Sequence, residues 1–184
     1  MDYYWNGRPN SNNTGMGRQR MFSPVYGVVT QIQDMQTGSG RSNGCTKLVT
    51  LEQGDGGIVN FVVSPSTTIL DCVTFYVSQQ VVMFYDPMAP VPLIYPPQYR
   101  AVAAGEDVQG VNVTAGYFDR SLLSADRSLQ LNLSEQAVVV TSNNQTFTGN
   151  PGGRNLVVVY QGSTRSIPAQ TSPVKVVVMC GCNG

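Results

Sequence analysis

The sequence predicts an all-β protein, and three observations carry that prediction. Apolar residues do not recur at the spacing of an amphipathic helix over any useful length, and Gly or Pro interrupts most windows. Short runs rich in Val, Ile, Tyr and Phe recur throughout, separated by turns of Gly, Asn, Asp and Pro. The order of these features in the first half of the chain also returns in the second half.

Taken in order, the expected strands are Tyr26–Ile32, Thr46–Glu52, Ile58–Val63, Thr68–Leu70, Gln80–Tyr85 and Arg100–Ala103. A second set comprises Gly110–Phe118, Ser128–Leu133, Ala137–Thr141, Asn155–Tyr160 and Lys175–Met179. Ser128–Leu133 alternates, with Leu129, Leu131 and Leu133 on one side, as a half-buried strand does. AVVVT, NLVVVY and KVVVM are continuous β-branched runs, the pattern of strands covered on both faces. GDGG at 54–57 and GNPGG at 149–153 supply turns.

Residues 60–70, 80–86 and 94–103 align with residues 130–140, 155–161 and 166–178, offset by about 70 to 75 residues. The alignment sets Ser64 on Ser134, Ile69 on Val139 and Tyr85 on Tyr160. Pro96-Pro97-Gln98 falls on Pro168-Ala169-Gln170. About five strands per half suit a small OB-like β-barrel or a compact β-sandwich. The expected organisation is therefore an N-terminal arm, 1–21, two related β modules, 22–104 and 108–180, and a cysteine-bearing tail, 181–184. The hydrophilic stretch Ala103–Gln109 is the expected link, short enough to favour modules packed together.

Composition excludes several functions. The 184 residues carry 11 basic and 11 acidic side chains, so no overall field attracts nucleic acid or an anionic membrane. No run of about 20 apolar residues is present, and membrane insertion is not expected. Histidine is absent, which removes the commonest general base and metal ligand; the expectation is a non-enzymatic protein without cofactor or metal. Asp119 and Asp126 flank a loop, where carboxylates more often cap turns than act in acid–base pairs. The first 20 residues lack the apolar core of a secretory signal. An extracellular or cell- or spore-surface location is expected by a route without one, with the cytoplasm as the alternative.

Cys45, Cys72, Cys180 and Cys182 allow three pairings, and the sequence does not choose among them. Reduced thiols are one reading; cross-links between subunits are the other, favoured by the CGCNG ending. The arm carries Tyr3, Tyr4 and Trp5, an aromatic group suited to burial on a neighbouring subunit. FYDPMAPVPLIYPPQYRAV, residues 84–102, holds five of the 11 prolines. Its position recurs in the second half as a proline-containing connector, so the prolines read as architecture. Its apolar excess does not recur: Met88, Leu93, Ile94 and Tyr95 stand where the second half is polar, and are the expected contact patch.

In composition and layout the chain is similar to subunits of bacterial spore coats and spore appendages, and it resembles some viral shell or tail proteins. The likeness covers no diagnostic motif, and no functional residue is carried over from it. The expected function is a structural subunit that self-assembles into a filament, appendage or surface layer, its partner being itself. The alternative is a soluble OB-like module that binds a small ligand, a glycan or an extended chain.

Overall fold

The computed structural model describes residues 19–36 and 42–180. The protein is all-β: its strands form sheets of seven, four and two members, and the only helical element among the described residues is a 3-10 turn, Leu70–Cys72. The seven-stranded sheet contains β1 (Ser23–Gln36), β2 (Ser42–Glu52), β3 (Ile58–Val63), β4 (Thr68–Ile69), β5 (Gln80–Tyr85), β6 (Gln98–Arg100) and β7 (Ala103–Glu106). Its order is β4-β7-β5-β1-β2-β3-β6. The four-stranded sheet, ordered β10-β13-β11-β8, is built from β8 (Asn112–Phe118), β10 (Val138–Thr141), β11 (Arg154–Tyr160) and β13 (Lys175–Val178). β9 (Leu129–Leu131) and β12 (Ala169–Thr171) form the third.

Strand pairing follows the alignment of the two halves. β4, β7, β5 and β1 neighbour one another in the same order and directions as β10, β13, β11 and β8. Gly27 pairs with Val81, as Gly116 pairs with Leu156. Asn60 lies opposite Gln98 in the parallel pair β3–β6, as Gln130 lies opposite Gln170 in β9–β12. The Tyr95–Pro96 and Ile167–Pro168 peptide bonds are both cis.

The halves are nonetheless unequal, seven strands against four plus two. β2 is an 11-residue strand that bridges β1 to β3. At the corresponding place in the second half, Asp119–Ala125 makes only isolated bridges, Phe118 to Ser124 and Leu123 to Gln130. Residues 20–22 occupy part of the edge left open. The Phe22 N–H donates to Ala115 O at 2.8 Å, and the Tyr117 N–H donates to Arg20 O at 2.8 Å.

Burial explains two of the three β-branched runs, NLVVVY and KVVVM; in AVVVT, expected to be covered on both faces, Val138 is exposed. Val81 and Met83 face one hydrophobic cluster with Val29, Val49, Leu51, Val59 and Phe61. Leu156, Val158, Val176 and Val178 face another with Phe118, Leu129 and Leu131. The alternate residues of the same strands point the opposite way. Val82, Phe84, Leu70 and Ala103 meet Val157, Val177, Val140 and Ala115 in a third cluster, drawn from both halves. The middle strands are thus covered on both faces, which offsets the entropy of ordering them with apolar area on each side.

Some strands differ from expectation. Ala103–Glu106, read from sequence as the start of a hydrophilic link, is a strand whose first three residues are buried. Leu133 lies beyond β9 and is exposed, so the alternation stops at Leu131.

Candidate interaction surface

The segment between β5 and β6 is anchored at each end. Asp86 Oδ1 accepts the Met88 N–H at 2.9 Å, Asp86 O accepts the Ala89 N–H at 3.1 Å, and Asp86 Oδ2 pairs with Arg20 Nη2 at 2.6 Å. At the far end, Pro97 O accepts the Asn60 N–H at 2.8 Å. Tyr85 and Tyr99, just outside the segment, stack with centroids 4.0 Å apart, and Phe61 packs against both rings. Burial raises the Tyr99 hydroxyl pKa above its ordinary value, with neighbouring Tyr85 adding to the rise. Pro87, Pro90, Pro92, Pro96 and Pro97 have no N–H to offer, so a stretch of this backbone remains outside any ladder at little hydrogen-bonding cost.

This scaffold holds apolar side chains outward. Leu93 is 102% exposed and Tyr95 86%, with Met88, Val91 and Ile94 also exposed. Met88, Leu93, Ile94 and Tyr95, singled out in the sequence, therefore fall on one surface segment. In the second half, residues 161–167 are exposed but mostly polar, with Ile167 the single large apolar residue among them.

A cleft of about 980 Å³ lies between this segment and the second half, lined by Pro90, Pro92, Ser64–Thr68, Arg100, Ser142 and Cys180. The hydroxyls of Ser64, Ser66, Thr67, Thr68 and Ser142 are engaged. Ser64 Oγ and Ser66 Oγ bond at 2.8 Å; Thr67 Oγ1 donates to Ala101 O at 2.8 Å; Thr68 Oγ1 donates to Ser142 Oγ, which donates to Val178 O, both at 3.3 Å. The Lys175–Asp71 ion pair, 2.6 Å, also joins the halves.

The other candidates are dispersed. Cys45 on β2, Cys72 at the end of the 3-10 turn and Cys180 after β13 are exposed. Tyr3, Tyr4, Trp5 and Cys182 lie outside the described residues. No group of three or more Cys, Asp or Glu is placed to hold a metal among the described residues. No helix there is long and apolar enough to cross a membrane.

Asp119 and Asp126 serve as caps. Asp119 Oδ1 accepts the Ser121 N–H, the Ser121 hydroxyl and the Leu123 N–H; these bonds, led by the hydroxyl, hold its carboxyl below the ordinary 3.8. Burial opposes ionisation of Asp126, yet bonds from the hydroxyls of Ser124 and Ser128 and the Ser128 N–H bring its pKa below 3.8. Ser124 Oγ also accepts the Leu129 N–H at 2.9 Å, inside the start of β9. Ser124→Ala orphans that donor, and urea unfolding at pH 7 should show a loss of about 1–3 kcal/mol. Since both native carboxyl pKa values are lowered, their stabilisation is complete above pH 3.8 and lost as pH falls below it through the native values. Unfolding midpoints measured from pH 5 to pH 2 should decline there, less steeply in Asp126→Asn.

Comparison with known protein families, curated proteins and solved structures returns no match to this chain.

Proposed function

We propose that the protein is a structural subunit that associates with copies of itself through the 86–97 segment, within a filament, appendage or surface layer. The observation that carries this reading is the exposure of Met88, Val91, Leu93, Ile94 and Tyr95 on a segment pinned at both ends. Clustered apolar exposure of this kind marks a contact surface rather than ordinary surface scatter. Balanced charge leaves little repulsion to oppose association. Tyr3, Tyr4 and Trp5, and cross-links through Cys180 and Cys182, are the further links the sequence suggests. Surface exposure, outside the cell or on a spore, accords with this role.

Sedimentation velocity and negative-stain imaging, with and without reductant, test the reading. Wild type should form high-mass species, and Leu93→Asp/Ile94→Asp should remain monomeric with an unchanged circular dichroism spectrum. A wild-type monomer at all concentrations would overturn self-assembly, and high-mass species that survive reductant would remove the cysteine links.

For the fold we propose two OB-like barrels. The support, in the first half, is a circuit of neighbours: β1–β2–β3, then β3 with β6 and β4 with β7 in parallel, then β7–β5–β1; the second half repeats part of it as β10–β13–β11–β8 and β9–β12. With β3 and β4 taken as one bent strand, and β6 and β7 as another, five strands return to the first, the count of an OB barrel. A β-solenoid is the competing description, favoured by the parallel pairs β3–β6, β4–β7, β10–β13 and β9–β12. The antiparallel pairings that dominate the remainder fit stacked solenoid coils poorly. The OB reading keeps a soluble binding module as the second functional reading, with the cleft as its site.

A further inference from the structure

We propose that the open edge of β6, in the cleft, takes an extended peptide as an added strand, paired to the backbone of Gln98 and Arg100, with an acidic side chain of the peptide held by Arg100. The proposal rests on the second functional reading, a binding module, and names the class of its ligand.

β6 is the last strand of its sheet. Its bonds to β3 use every second residue: the Asn60 N–H donates to Pro97 O at 2.8 Å, and the Ala101 N–H donates to Val62 O at 3.0 Å. The backbone groups of Gln98 and Arg100 therefore point away from β3, and they meet no partner among the described residues. Gln98, Tyr99, Arg100, Ala101 and Val102 all line the cleft. Side chains of a strand alternate between its faces, so consecutive lining residues mean that the cleft runs along the strand's edge.

The second half shows what such an edge accepts. Gln170, aligned with Gln98, donates its N–H to Thr164 Oγ1 at 2.8 Å, and its C=O accepts the Thr164 N–H at 2.9 Å. Thr164 stands six residues before Gln170. The residue at that distance before Gln98 is Pro92, which has neither a hydroxyl nor an N–H. Pro92 and Pro90 line the cleft and leave the edge open. A peptide strand supplies the N–H and C=O groups that Pro92 cannot, in register with both open residues. Charge then selects among peptides. Arg100 is exposed and forms no ion pair among the described residues, and no carboxylate is among the residues lining the cleft. An acidic side chain on the added strand answers the one formal charge there.

The full-length protein, isotope-labelled and at concentrations where it is monomeric, is titrated by nuclear magnetic resonance. The probes are acetylated, amidated pentapeptides of alternating Thr and Val with Asp, Ala or Lys at the centre, and cellopentaose. Exchange of the Gln98 and Arg100 amides should slow when the Asp peptide is added. That peptide should bind about two- to fivefold tighter than the Ala peptide, the effect of an exposed ion pair, and Arg100→Gln should remove the preference. N-methylating one alternate set of peptide nitrogens should weaken binding about tenfold or more, while methylating the other set has little effect, as for a strand bonded along one edge. Protection of these amides by cellopentaose and by no peptide would overturn the proposal while keeping the binding module. Binding by neither class would overturn both. Peptide binding that leaves the two amides unprotected, or that both methylated sets weaken equally, would overturn strand addition. Protection that appears without peptide as the protein is concentrated would assign the edge to a second copy and equally overturn it. Equal affinity for the Asp and Lys peptides would overturn the part given to Arg100.

Discussion

Replacing Phe84 with alanine is expected to lower the unfolding free energy by about 3–5 kcal/mol, as for other buried aromatic-to-alanine changes. Phe84 is 1% exposed and belongs to the cluster that joins the two halves. Leu70, Val82 and Ala103 accompany it from the first half; Ala115, Val140, Val157, Val177 and Met179 come from the second. The location makes a further consequence readable. Hydrogen exchange at Val157 and Val177 should accelerate along with exchange in β5, although those residues lie in a different sheet. Phe61→Ala supplies the control, since Phe61 packs in the cluster confined to the first half. It should cost a comparable amount while leaving exchange in β11 and β13 closer to wild type. Urea unfolding measures the first effect and amide exchange the second. A loss below about 1 kcal/mol for Phe84→Ala, far under the range for buried aromatics, would mean that the shared cluster contributes little. Unchanged exchange in β11 would mean that the halves are stabilised independently.

That cluster marks a limit of what the sequence reveals. NLVVVY and KVVVM announce strands covered on both faces, and they are so covered. Nothing in either run distinguishes the residues facing the second half's own core from those facing the first half. The periodicity is hidden because Leu156–Val159 and Val176–Met179 are apolar at every position. AAGE was illegible for a different reason. Ala and Gly have poor strand propensity, so the stretch reads as a link. The small residues are required by packing: a Cβ on Gly105 would lie 2.7 Å from Leu70 Cδ1. Tertiary contact here overrides local preference.

The candidate surface was more legible. Comparing the two connectors isolates the apolar excess at Met88, Leu93, Ile94 and Tyr95, and those side chains are exposed. The Arg20–Asp86 pair that anchors the segment was invisible, since an ion pair between residues distant in sequence leaves no periodic trace. The same holds for the seating of residues 20–22 on β8, which depends on a strand absent from one half. The aligned glycines, Gly27 and Gly116, are the nearest thing to a signal for it. Both stand where another backbone approaches: a Cβ would meet Glu52 O at 2.8 Å from Gly27, and Met21 Cα at 2.5 Å from Gly116.

Gly116→Ala should therefore cost about 2–4 kcal/mol, combining strain at the glycine-favouring φ of 152° with overpacking against Met21. Retreat of the neighbour is restricted. The neighbouring atoms include Met21 Cα and, at 2.8 Å, Arg20 O, while backbone bonds from Phe22 and Tyr117 hold the segment in place. Relief must come by lifting residues 20–22 from the β8 edge, which exposes the Ala115 carbonyl and the Tyr117 N–H to solvent. Stability and attachment should therefore fall together. Limited proteolysis ahead of Ser23 should become faster in the variant, by more than the change in global stability accounts for. Gly56→Ala is the comparison: its φ is 82° and nothing lies within 4 Å of the added carbon, so it should show conformational strain without loosened attachment. If Gly116→Ala matches Gly56→Ala in both measurements, the close approach of Met21 does not hold the segment. If stability falls while proteolysis tracks it proportionately, the cost lies within β8 and the edge contact is incidental.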